Sequence, residues 1–386
     1  MTGGGSGGHI TPLLAVAHEL KKTNSAVEID YIGQLGDSLG DIPAQHESID
    51  RVFMVRAGKL RRYHGEGWRQ LLDLSTTWKN IKDVWWVFVG FWQSLALLRR
   101  MKPDVLFVKG GFVGVPVGLA AAALRIPYVT HDSDALPGLA NRIIAKWARL
   151  HTVAMPKEVY HYPAAKTLTV GVPISHEYHQ LSPAEMSNWK HQLGLPASGR
   201  VLFITGGGLG AQRMNNAVID CAHDLLYRYH DLTIVHLAGR SLEAEVRQQY
   251  KKELPAEMQK RVVIKGFITN LHQYSGVADV IITRAGGTSM AEFAAQAKAC
   301  VVVPNPLLTG GHQLKNAQVL ADHKAIALMP EKKLMADHGA LMPTLVELLD
   351  NPQKARYLGQ QLHKMAQSDA AHRLAVVLLE VGARIR

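Results

Sequence analysis

Side chains that could bind a sugar nucleotide are concentrated late in the sequence, in two stretches separated by an apolar run. Residues 284–292 read Arg-Ala-Gly-Gly-Thr-Ser-Met-Ala-Glu, and the second stretch contains Gln313 and Asn316. The carboxylate of Glu292 can accept hydrogen bonds from a ribose diol. Two amides three residues apart share a helix face, so they can bond the hydroxyls of one sugar. The spacing fits a nucleotide-sugar site, and it fits equally an ordinary strand–turn–helix whose glutamate is solvated.

Both stretches follow apolar runs that predict buried strands. Residues 278–283 and 299–303 are short and rich in β-branched side chains, and glycine or proline follows each of them. Helices are predicted to begin at Ser289 and near His312. Two helix N-termini are therefore expected at the carboxyl ends of parallel strands, where unpaired N–H groups and a partial positive charge suit a diphosphate.

A glycine-rich loop at the N-terminus leads to a second candidate, His9. Gly3, Gly5 and Gly8 match G-x-G-x-x-G, and an amphipathic helix is predicted over residues 10–21. A loop of this kind normally follows the central strand of its sheet, yet only two residues precede it. We therefore expect that the first strand of this domain is missing from the sequence, as a misassigned start codon would produce.

Strands and helices alternate through residue 172, and the pattern restarts at residue 200 with a second glycine loop over 206–211. This alternation predicts two doubly wound α/β domains. Their expected bounds are 1–172, joined by a C-terminal helix over 369–386, and 173–368. Asp30 lies inside a predicted strand rather than at its end, which weighs against a dinucleotide cofactor.

Composition narrows the class of protein and of partner. The chain has 386 residues, 47% hydrophobic and 19% charged, which is typical of a globular protein. A net charge of +11 favours an anionic partner, and nucleic acid, an acidic membrane surface and a phosphorylated substrate all fit. The two cysteines, Cys221 and Cys300, cannot form a disulfide framework, so a reducing compartment is expected. No secretory signal is recognised.

A tryptophan-rich segment predicts contact with a membrane surface. The apolar run over residues 84–98 is too short to span a bilayer, and lysine and arginine flank it. Tryptophan beside basic residues is typical of an interfacial contact, although a helix buried against the sheet is the alternative. Such dense apolar content disfavours nucleic acid. The residues expected at the membrane are Trp85, Trp86, Phe88, Phe91 and Trp92. The basic segment before them, residues 51–69, is predicted to be irregular.

A formal D-x-D motif, Asp132 to Asp134, follows His131 at the end of a predicted strand. Such a motif binds a metal in one class of sugar transferase. At this place we expect it to cap a helix and line the ligand crevice. The sequence has no H-E-x-x-H motif or Cys/His cluster, so no metal is expected.

In combination these motifs resemble a family of GT-B glycosyltransferases, the undecaprenyl-diphospho-muramoylpentapeptide β-N-acetylglucosaminyltransferases that form lipid II of peptidoglycan. The resemblance covers nearly the whole chain. It rests on motifs in the expected order, namely residues 4–12, 110–112, 131–132, 206–211, 267–268, 284–292 and 312–317. It implies two Rossmann-like domains facing across a cleft.

The resemblance also implies a reaction. N-acetylglucosamine would pass from UDP-N-acetylglucosamine, a substrate and not a cofactor, to the muramoyl 4-hydroxyl of the lipid-linked muramoylpentapeptide, with inversion. The enzyme would be peripheral, on the cytoplasmic face of the membrane, with no nucleic-acid partner. The hydroxyl needs a base. His9 and, alternatively, His131 held by Asp132 are the candidates.

The resemblance assigns binding residues to both substrates. Donor-binding residues would be Ser6, Gly7, Gly8, Asp134, Gly208, Ile268, Gly287, Thr288, Ser289, Met290, Ala291, Glu292, Gln313 and Asn316. Ile268 would meet the uracil with backbone groups, and the loop 287–291 would hold the diphosphate. Acceptor-binding residues would be Gly110, Gly111, Phe112 and Asn141, with the acceptor diphosphate near the loops at 6–8 and 110–111.

Four places depart from the family pattern. Residues 131–134 read His-Asp-Ser-Asp where the family has His-Glu-Gln-Asn. Gly208 replaces a serine, Ser175 replaces an arginine expected near the donor phosphates, and Phe112 replaces a tyrosine. These changes concern phosphate and acceptor contacts and leave the expected fold intact.

The same sequence features can be compared with the requirements of four other functions. A diacylglycerol glycosyltransferase would share the fold and the membrane face. A UDP-N-acetylglucosamine 2-epimerase would share the fold but has no need of a basic, tryptophan-rich face. A dinucleotide-dependent oxidoreductase is disfavoured by the placement of Asp30. A non-catalytic membrane scaffold would tolerate loss of His9, Glu292 and Gln313.

Overall fold

The computed structural model describes residues 1–37, 39–59, 74–207, 211–306 and 311–383. Its strands, in chain order, are β1 Asp30–Gln34, β2 Arg51–Val55, β3 Leu106–Val108, β4 Tyr128–Asp132, β5 Leu150–Val153, β6 Thr167–Thr169, β7 Val201–Thr205, β8 Thr233–Leu237, β9 Val262–Lys265, β10 Val280–Thr283, β11 Ala299–Val302 and β12 Ala327–Leu328. Its α-helices are α1 Gly7–Thr23, α2 Asp41–Ala44, α3 Leu74–Met101, α4 Gly114–Ala123, α5 Leu139–Ile144, α6 Pro183–Gln192, α7 Gln212–Arg228, α8 Glu243–Glu253, α9 Ala256–Gln259, α10 Leu271–Gly276, α11 Gly287–Ala295, α12 His312–Asp322, α13 Glu331–Ala336, α14 Met342–Asp350, α15 Pro352–Lys364 and α16 Ala370–Ala383.

The chain divides into two compact units. The N-terminal unit comprises Met1–Ser175, Leu307–His312 and Gln367–Arg386. The C-terminal unit comprises His176–Pro306 and Gln313–Ala366. The last helix, α16, therefore belongs to the N-terminal unit, where its apolar face packs against α1.

The C-terminal unit is built on a parallel sheet that is covered on both faces. In the described residues its order is β12-β11-β10-β7-β8-β9. Successive residues of β7 point to opposite sides: Leu202 packs into the layer of α7 and α14, and Phe203 into the layer of α11 and α12. Every residue of the central strands β7 and β10 is buried, which explains their continuous apolar sequence.

The N-terminal unit has two parallel part-sheets in its described residues, β1-β2 and β3-β4-β5-β6. Thr2 joins them, because it forms parallel bridges with Ile32 of β1 and with Val108 of β3. One face is covered by α1 and α16, and the other by α3 and α4. The unit is therefore also doubly wound.

Several boundaries differ from those predicted. Helix α1 begins at Gly7, three residues early, because burial of its apolar face outweighs the poor helix propensity of glycine. Residues 51–55, predicted to be irregular, form the edge strand β2, whose first side chain, Arg51, is exposed and bonds Asp30 at 2.8 Å. Asp30 itself begins β1 instead of lying inside it. Helix α6 begins with a capping box, in which Ser182 and Glu185 are bonded reciprocally.

Gly359 is expected to be essential for packing within the C-terminal unit. It lies in α15, and a Cβ there would sit 2.0 Å from the carbonyl oxygen of Ala297. Gly359→Ala should therefore destabilise the unit by about 1–3 kcal/mol, although alanine favours helix by roughly 1 kcal/mol. Urea unfolding would measure the change. The exposed neighbour Gln360 provides the control, since Gln360→Ala should stay within about 0.5 kcal/mol of the parent. An equal or higher stability for Gly359→Ala would contradict this packing.

Candidate active site

The stretch at residues 284–292 forms a strand–turn–helix whose helix begins earlier than predicted. Gly286 is the extended residue before α11, and Gly287 is already helical. The predicted phosphate loop 287–291 is therefore wrong as a loop, since these residues form the first turns of the helix. The first N–H groups of a helix have no partner within it, so a diphosphate here would meet the positive end of α11.

Glu292 lies one turn into α11 and is buried, with 5% of its surface exposed. Burial raises the pKa of its carboxyl to about 8, and a hydrogen bond from the Tyr178 hydroxyl partly opposes this rise. Glu292 is thus mostly protonated at neutral pH while the site holds no ligand. Tyr178 was not predicted as a site residue, because no local pattern relates it to a residue so distant in sequence. Its ring also lies against His272, edge to face, with the centroids 6.0 Å apart.

Arg284 supports the loop that precedes α11. Its guanidinium donates to the carbonyl of Val303 at 3.0 Å and to Glu331 at 2.6 Å, and both charged side chains are almost fully buried. Arg213 bonds the second oxygen of Glu331 at 3.1 Å. A buried pair of this kind holds the ends of β10 and β11 in position. Glu331 is a further residue that the motifs did not reveal.

Gln313 and Asn316 lie on one face of α12, as their spacing predicted, and both are buried. Gln313 accepts from the backbone N–H of Asn305 at 2.9 Å, and Asn316 donates to the carbonyl of Ala285 at 3.1 Å. Each amide therefore fixes a loop that follows a strand. Their predicted contact with sugar hydroxyls stays a prediction.

The uracil and phosphate assignments concern two further places in the C-terminal unit. Ile268 follows β9 and is half-buried against the layer of α11 and α12. Beside it, the Arg240 guanidinium stacks on the ring of Phe267, 4.1 Å from its centroid. Gly208, which stands where the family pattern has a serine, lies outside the described residues.

In the N-terminal unit, the glycine loop is held by two side chains that the sequence did not single out. The Asp37 carboxylate accepts from the Gly5 N–H at 2.7 Å, and the Tyr31 hydroxyl donates to the Gly3 carbonyl. Ser6 precedes α1 with an extended backbone and makes no side-chain capping bond. Gly7 and Gly8 are thus in the first turn of the helix, whose N–H groups face the end of the loop.

His9 has an unsatisfied buried nitrogen. Its Nδ1 has no hydrogen-bond partner within the described part of the chain. Burial and, to a smaller extent, the charge of Lys109 lower the pKa of His9 to about 4, against the opposing effects of Asp134 and of a hydrogen bond to the Lys109 backbone. The imidazole is therefore neutral near pH 7 and keeps a lone pair. Lys109 is itself buried, and burial lowers its pKa. The sequence feature that could have identified Lys109 is its position directly after a buried strand.

His131 differs from His9 in being fully enclosed. Its Nδ1 bonds Thr152 at 3.1 Å and its Nε2 bonds Ser133 at 3.2 Å. Burial and the charge of Lys109 hold its pKa well below the usual range. The expected pair between His131 and Asp132 does not form, because strand alternation places the two neighbouring side chains on opposite faces of β4.

Asp132 instead organises the turn before α5. Its carboxylate accepts from the Gly138 N–H at 3.0 Å, from the Asn141 amide at 2.9 Å and from the Tyr162 hydroxyl at 2.9 Å. Asp132 thus holds Gly138, the residue before α5, and bonds no N–H of the helix's first turn, so it does not cap the helix as expected. No group of metal-ligating side chains occurs among the residues that the structure describes.

Gly110 and Gly111 bring the second loop against the first. Both have positive φ, +109° and +77°, and a Cβ on Gly111 would sit 2.5 Å from the Gly4 carbonyl oxygen. A Cβ on Gly110 would lie 3.6 Å from Oδ1 of Asn141 and 3.7 Å from Cε1 of His9. In the described residues, Asn141 Oδ1 is also buried without a partner. Two buried polar atoms without partners in the described residues, His9 Nδ1 and Asn141 Oδ1, thus lie near Gly110. Such atoms are typical of a site that binds a polar ligand.

Phe112 and the tryptophan-rich helix complete the predicted residues. Phe112 is half-buried under Lys59, whose ammonium lies 5.4 Å from the ring centroid. On α3, one stripe exposes more than half of each apolar side chain, namely Ile81, Val84, Trp85, Phe88 and Trp92. Trp86 and Phe91, predicted at the membrane, are half-buried instead. Trp86 stacks under the Arg56 guanidinium at 4.0 Å, and Phe91 packs against the core. None of the described helices is both long and apolar enough to cross a bilayer.

Residues 1–152 match the model of the glycosyltransferase family 28 N-terminal domain, and residues 201–374 match that of the family 28 C-terminal domain. The chain belongs to glycosyltransferase family 28. It is 30% identical over 336 residues, 86% of each chain, to a Natranaerobius thermophilus protein. That relative is named UDP-N-acetylglucosamine--N-acetylmuramyl-(pentapeptide) pyrophosphoryl-undecaprenol N-acetylglucosamine transferase. A Bacillus subtilis protein of the same name is 29% identical over 382 residues, 99% of this chain and 98% of its own.

Among solved structures, Acinetobacter baumannii MurG superposes with a TM-score of 0.67 over 98% of both chains at 22% identity. This similarity shows the GT-B fold that the motifs predicted. This family 28 member is therefore a glycosyltransferase. The roles of individual site residues stay predictions.

The raised pKa of Glu292 predicts a pH-dependent donor affinity. Ribose hydroxyls donate most strongly to an ionised carboxylate, so binding should release a proton while the empty site is protonated. The affinity for UDP-N-acetylglucosamine should rise roughly tenfold between about pH 6.5 and pH 8.5, as Glu292 ionises through its pKa near 8. Calorimetry in buffers of different ionisation enthalpy would count the proton. Glu292→Gln should bind weakly and without this pH dependence, and a flat profile for the parent would contradict the linkage.

Proposed function

We propose that this glycosyltransferase transfers N-acetylglucosamine from UDP-N-acetylglucosamine to the muramoyl 4-hydroxyl of undecaprenyl-diphosphate-linked muramoylpentapeptide. The observation that carries the proposal is the similarity to relatives of that named activity, which extends over 86–99% of this chain at about 30% identity. It distinguishes this reaction from the diacylglycerol and epimerase alternatives, with which only the fold would be shared.

The C-terminal unit would bind the donor. Glu292 would accept from the ribose, and the first turn of α11 would hold the diphosphate, because its N–H groups and helix dipole favour negative charge. The same groups stabilise the departing UDP, whose β-phosphate oxygen gains charge when the bond to the sugar breaks. Gln313 and Asn316 would read the sugar from α12, and their loop contacts hold them rigid for that task.

The N-terminal unit would bind the acceptor and supply the base. The first turn of α1 and the loop at Gly110 and Gly111 offer backbone N–H groups for a diphosphate. The acceptor hydroxyl would attack the anomeric carbon and pass its proton to a histidine. His9 suits this role better than His131, because its Nδ1 has no protein partner in the described residues whereas both nitrogens of His131 are bonded. Acceptor phosphates would raise the pKa of His9 once the site is filled.

The exposed stripe on α3 would place the acceptor site at a membrane surface. Ile81, Val84, Trp85, Phe88 and Trp92 form one continuous apolar face. Exposed basic residues lie beside it and at the end of the helix, namely Lys82, Arg99 and Arg100. An apolar face bordered by cations favours the interface of an anionic bilayer. We propose peripheral attachment at the cytoplasmic face, where a lipid-linked acceptor can be reached.

Loss of His9 should abolish transfer while donor binding is kept. His9→Gln is expected to lower kcat at least about 10²-fold, because the hydroxyl loses its base. The assay follows the disaccharide-lipid formed from UDP-N-acetylglucosamine and a lipid-linked muramoylpentapeptide analogue, with donor binding measured separately. His18→Gln, on the same helix, is the matched control and should retain the parent rate. Turnover with diacylglycerol and none with the muramoyl lipid would overturn the proposed acceptor.

Replacing tryptophans of the exposed stripe should weaken membrane attachment. The double variant Trp85→Ser and Trp92→Ser is expected to bind phosphatidylglycerol vesicles at least about tenfold more weakly, because both indoles lose an interfacial position. Vesicle co-sedimentation gives the partition coefficient. Tyr227→Ser with Tyr357→Ser removes two other exposed aromatic side chains and should leave binding unchanged. Equal vesicle binding by the parent and the tryptophan variant would show that α3 does not contact the membrane and has only a structural role.

A further inference from the structure

The side-chain amide of Asn141 is held in one orientation. The residue lies in α5 and is buried, with 1% of its surface exposed. Its Nδ2 donates to the His131 carbonyl at 2.9 Å and to Asp132 Oδ1 at 2.9 Å. Both partners are acceptors, so a flipped amide would bring its oxygen against two other oxygens. The two bonds therefore leave Oδ1 as the free end of the amide, and this atom has no partner in the described residues.

The tautomer of His9 is fixed in a similar way. Its Nδ1 has no partner within the described part of the chain, so the nitrogen that bonds the Lys109 backbone is Nε2. The Lys109 N–H already donates to the Thr2 carbonyl at 3.0 Å, which leaves the Lys109 carbonyl as the acceptor for His9. Nε2 therefore carries the hydrogen of the neutral imidazole, and Nδ1 carries the lone pair.

The free atoms of His9 and Asn141 lie beside the same glycine. A Cβ on Gly110 would sit 3.6 Å from Asn141 Oδ1 and 3.7 Å from His9 Cε1, the carbon that is bonded to Nδ1. Both free atoms are acceptors, and a buried acceptor needs a donor. An ionised phosphate has no hydrogen to donate, whereas each sugar hydroxyl has one. The space beside Gly110 therefore suits a sugar edge with two neighbouring hydroxyls better than it suits a diphosphate.

Asp132 keeps the Asn141 amide in its orientation. Its Oδ1 accepts from Asn141 and also from the Gly138 N–H at 3.0 Å, so this oxygen is an acceptor whether or not the carboxyl is ionised. Its Oδ2 accepts from the Tyr162 hydroxyl at 2.9 Å. The three bonds together fix the plane of the carboxyl group. Loss of the bond to Oδ2 would let the carboxyl rotate away from Asn141.

Tyr162 is itself held by stacked aromatic rings. Its ring lies nearly parallel to that of His151, with the centroids 4.0 Å apart, and to that of Tyr160, with the centroids 6.2 Å apart. His151 is buried in β5 and bonds the Thr130 hydroxyl of β4 at 2.8 Å. The stack therefore orients the Tyr162 hydroxyl toward Asp132.

We propose that Tyr162 and Asp132 are positioning residues, which hold the Asn141 amide with its oxygen toward the acceptor sugar. The inference rests on the proposed function, in which His9 takes the proton of the muramoyl 4-hydroxyl. The 3-oxygen of that sugar is an ether, so the 6-hydroxyl is the neighbouring donor, and it donates to Asn141 Oδ1. Two hydrogen bonds from one edge of the sugar then fix how the attacking hydroxyl is presented.

Steady-state transfer to two acceptors tests this contact, with a lipid-linked muramoylpentapeptide analogue and its 6-deoxy counterpart. The parent should use the 6-deoxy acceptor with a kcat/KM at least about tenfold lower, because Asn141 Oδ1 stays unpaired. Tyr162→Phe keeps the ring but loses the hydroxyl, and should narrow this ratio to about threefold or less, with an unchanged KM for the donor. Asn141→Leu should remove the preference altogether.

Tyr128→Phe is the matched control. The Tyr128 hydroxyl is buried at the opposite end of β4 from Asp132 and donates to the Ile144 carbonyl, so this variant also loses a buried hydrogen bond. Its ratio should equal that of the parent, which separates positioning from a loss of stability. Equal use of both acceptors by the parent would overturn the contact with Asn141. An unchanged ratio in Tyr162→Phe would overturn the positioning role, whereas no transfer to either acceptor would overturn the proposed function and this inference with it.

Discussion

Parallel strands that are buried on both faces impose the constraint on which the candidate sites depend. Their backbone groups are paired within the sheet, and their side chains are committed to the two helical layers. Polar ligands are therefore met at the carboxyl ends, where loops turn into helices whose first N–H groups have no partner within the helix. Both units follow this rule. The helix that begins at Gly287 and the one that begins at Gly7 each present such an end after a glycine-containing turn.

The close approach of two backbone loops limits which ligands a helix N-terminus can bind. In the N-terminal unit, Gly111 leaves no room for a Cβ against Gly4, so the two loops lie in direct backbone contact. The contact exposes main-chain groups where side chains would otherwise stand. It also leaves two polar atoms, on His9 and Asn141, buried without partners in the described residues. A buried polar atom without a partner lowers the stability of the protein, and a ligand that forms a hydrogen bond with that atom offsets the loss.

Charge burial has a different role in the two units. In the C-terminal unit, burial raises the pKa of Glu292 to about 8, and a hydrogen bond from Tyr178 opposes this rise. Arg284 and Glu331 form a buried ion pair at 2.6 Å. In the N-terminal unit, Lys109 lies near two histidines and lowers the pKa of each. The first arrangement underlies the predicted link between donor binding and proton release, the second joins two loops of the sheet, and the third keeps imidazoles neutral.

The sequence by itself determined what is local or periodic. Apolar runs between glycine turns predicted the strands and the two doubly wound units. The ordered motifs predicted the family and the fold, because several weak patterns in register are specific together. Spacing also placed Gln313 and Asn316 on one helix face, since helix period alone sets that relation.

Only the tertiary structure decided which groups meet across the fold. Tyr178 reaches Glu292, Glu331 reaches Arg284, and Lys109 lies beside His9, and no local pattern encodes these distances. The same holds for errors of the sequence analysis. Neighbouring residues on a strand point to opposite faces, so His131 and Asp132 do not pair. Tertiary packing extends α1 and α11 to include glycine in their first turns, which helix propensity alone did not predict.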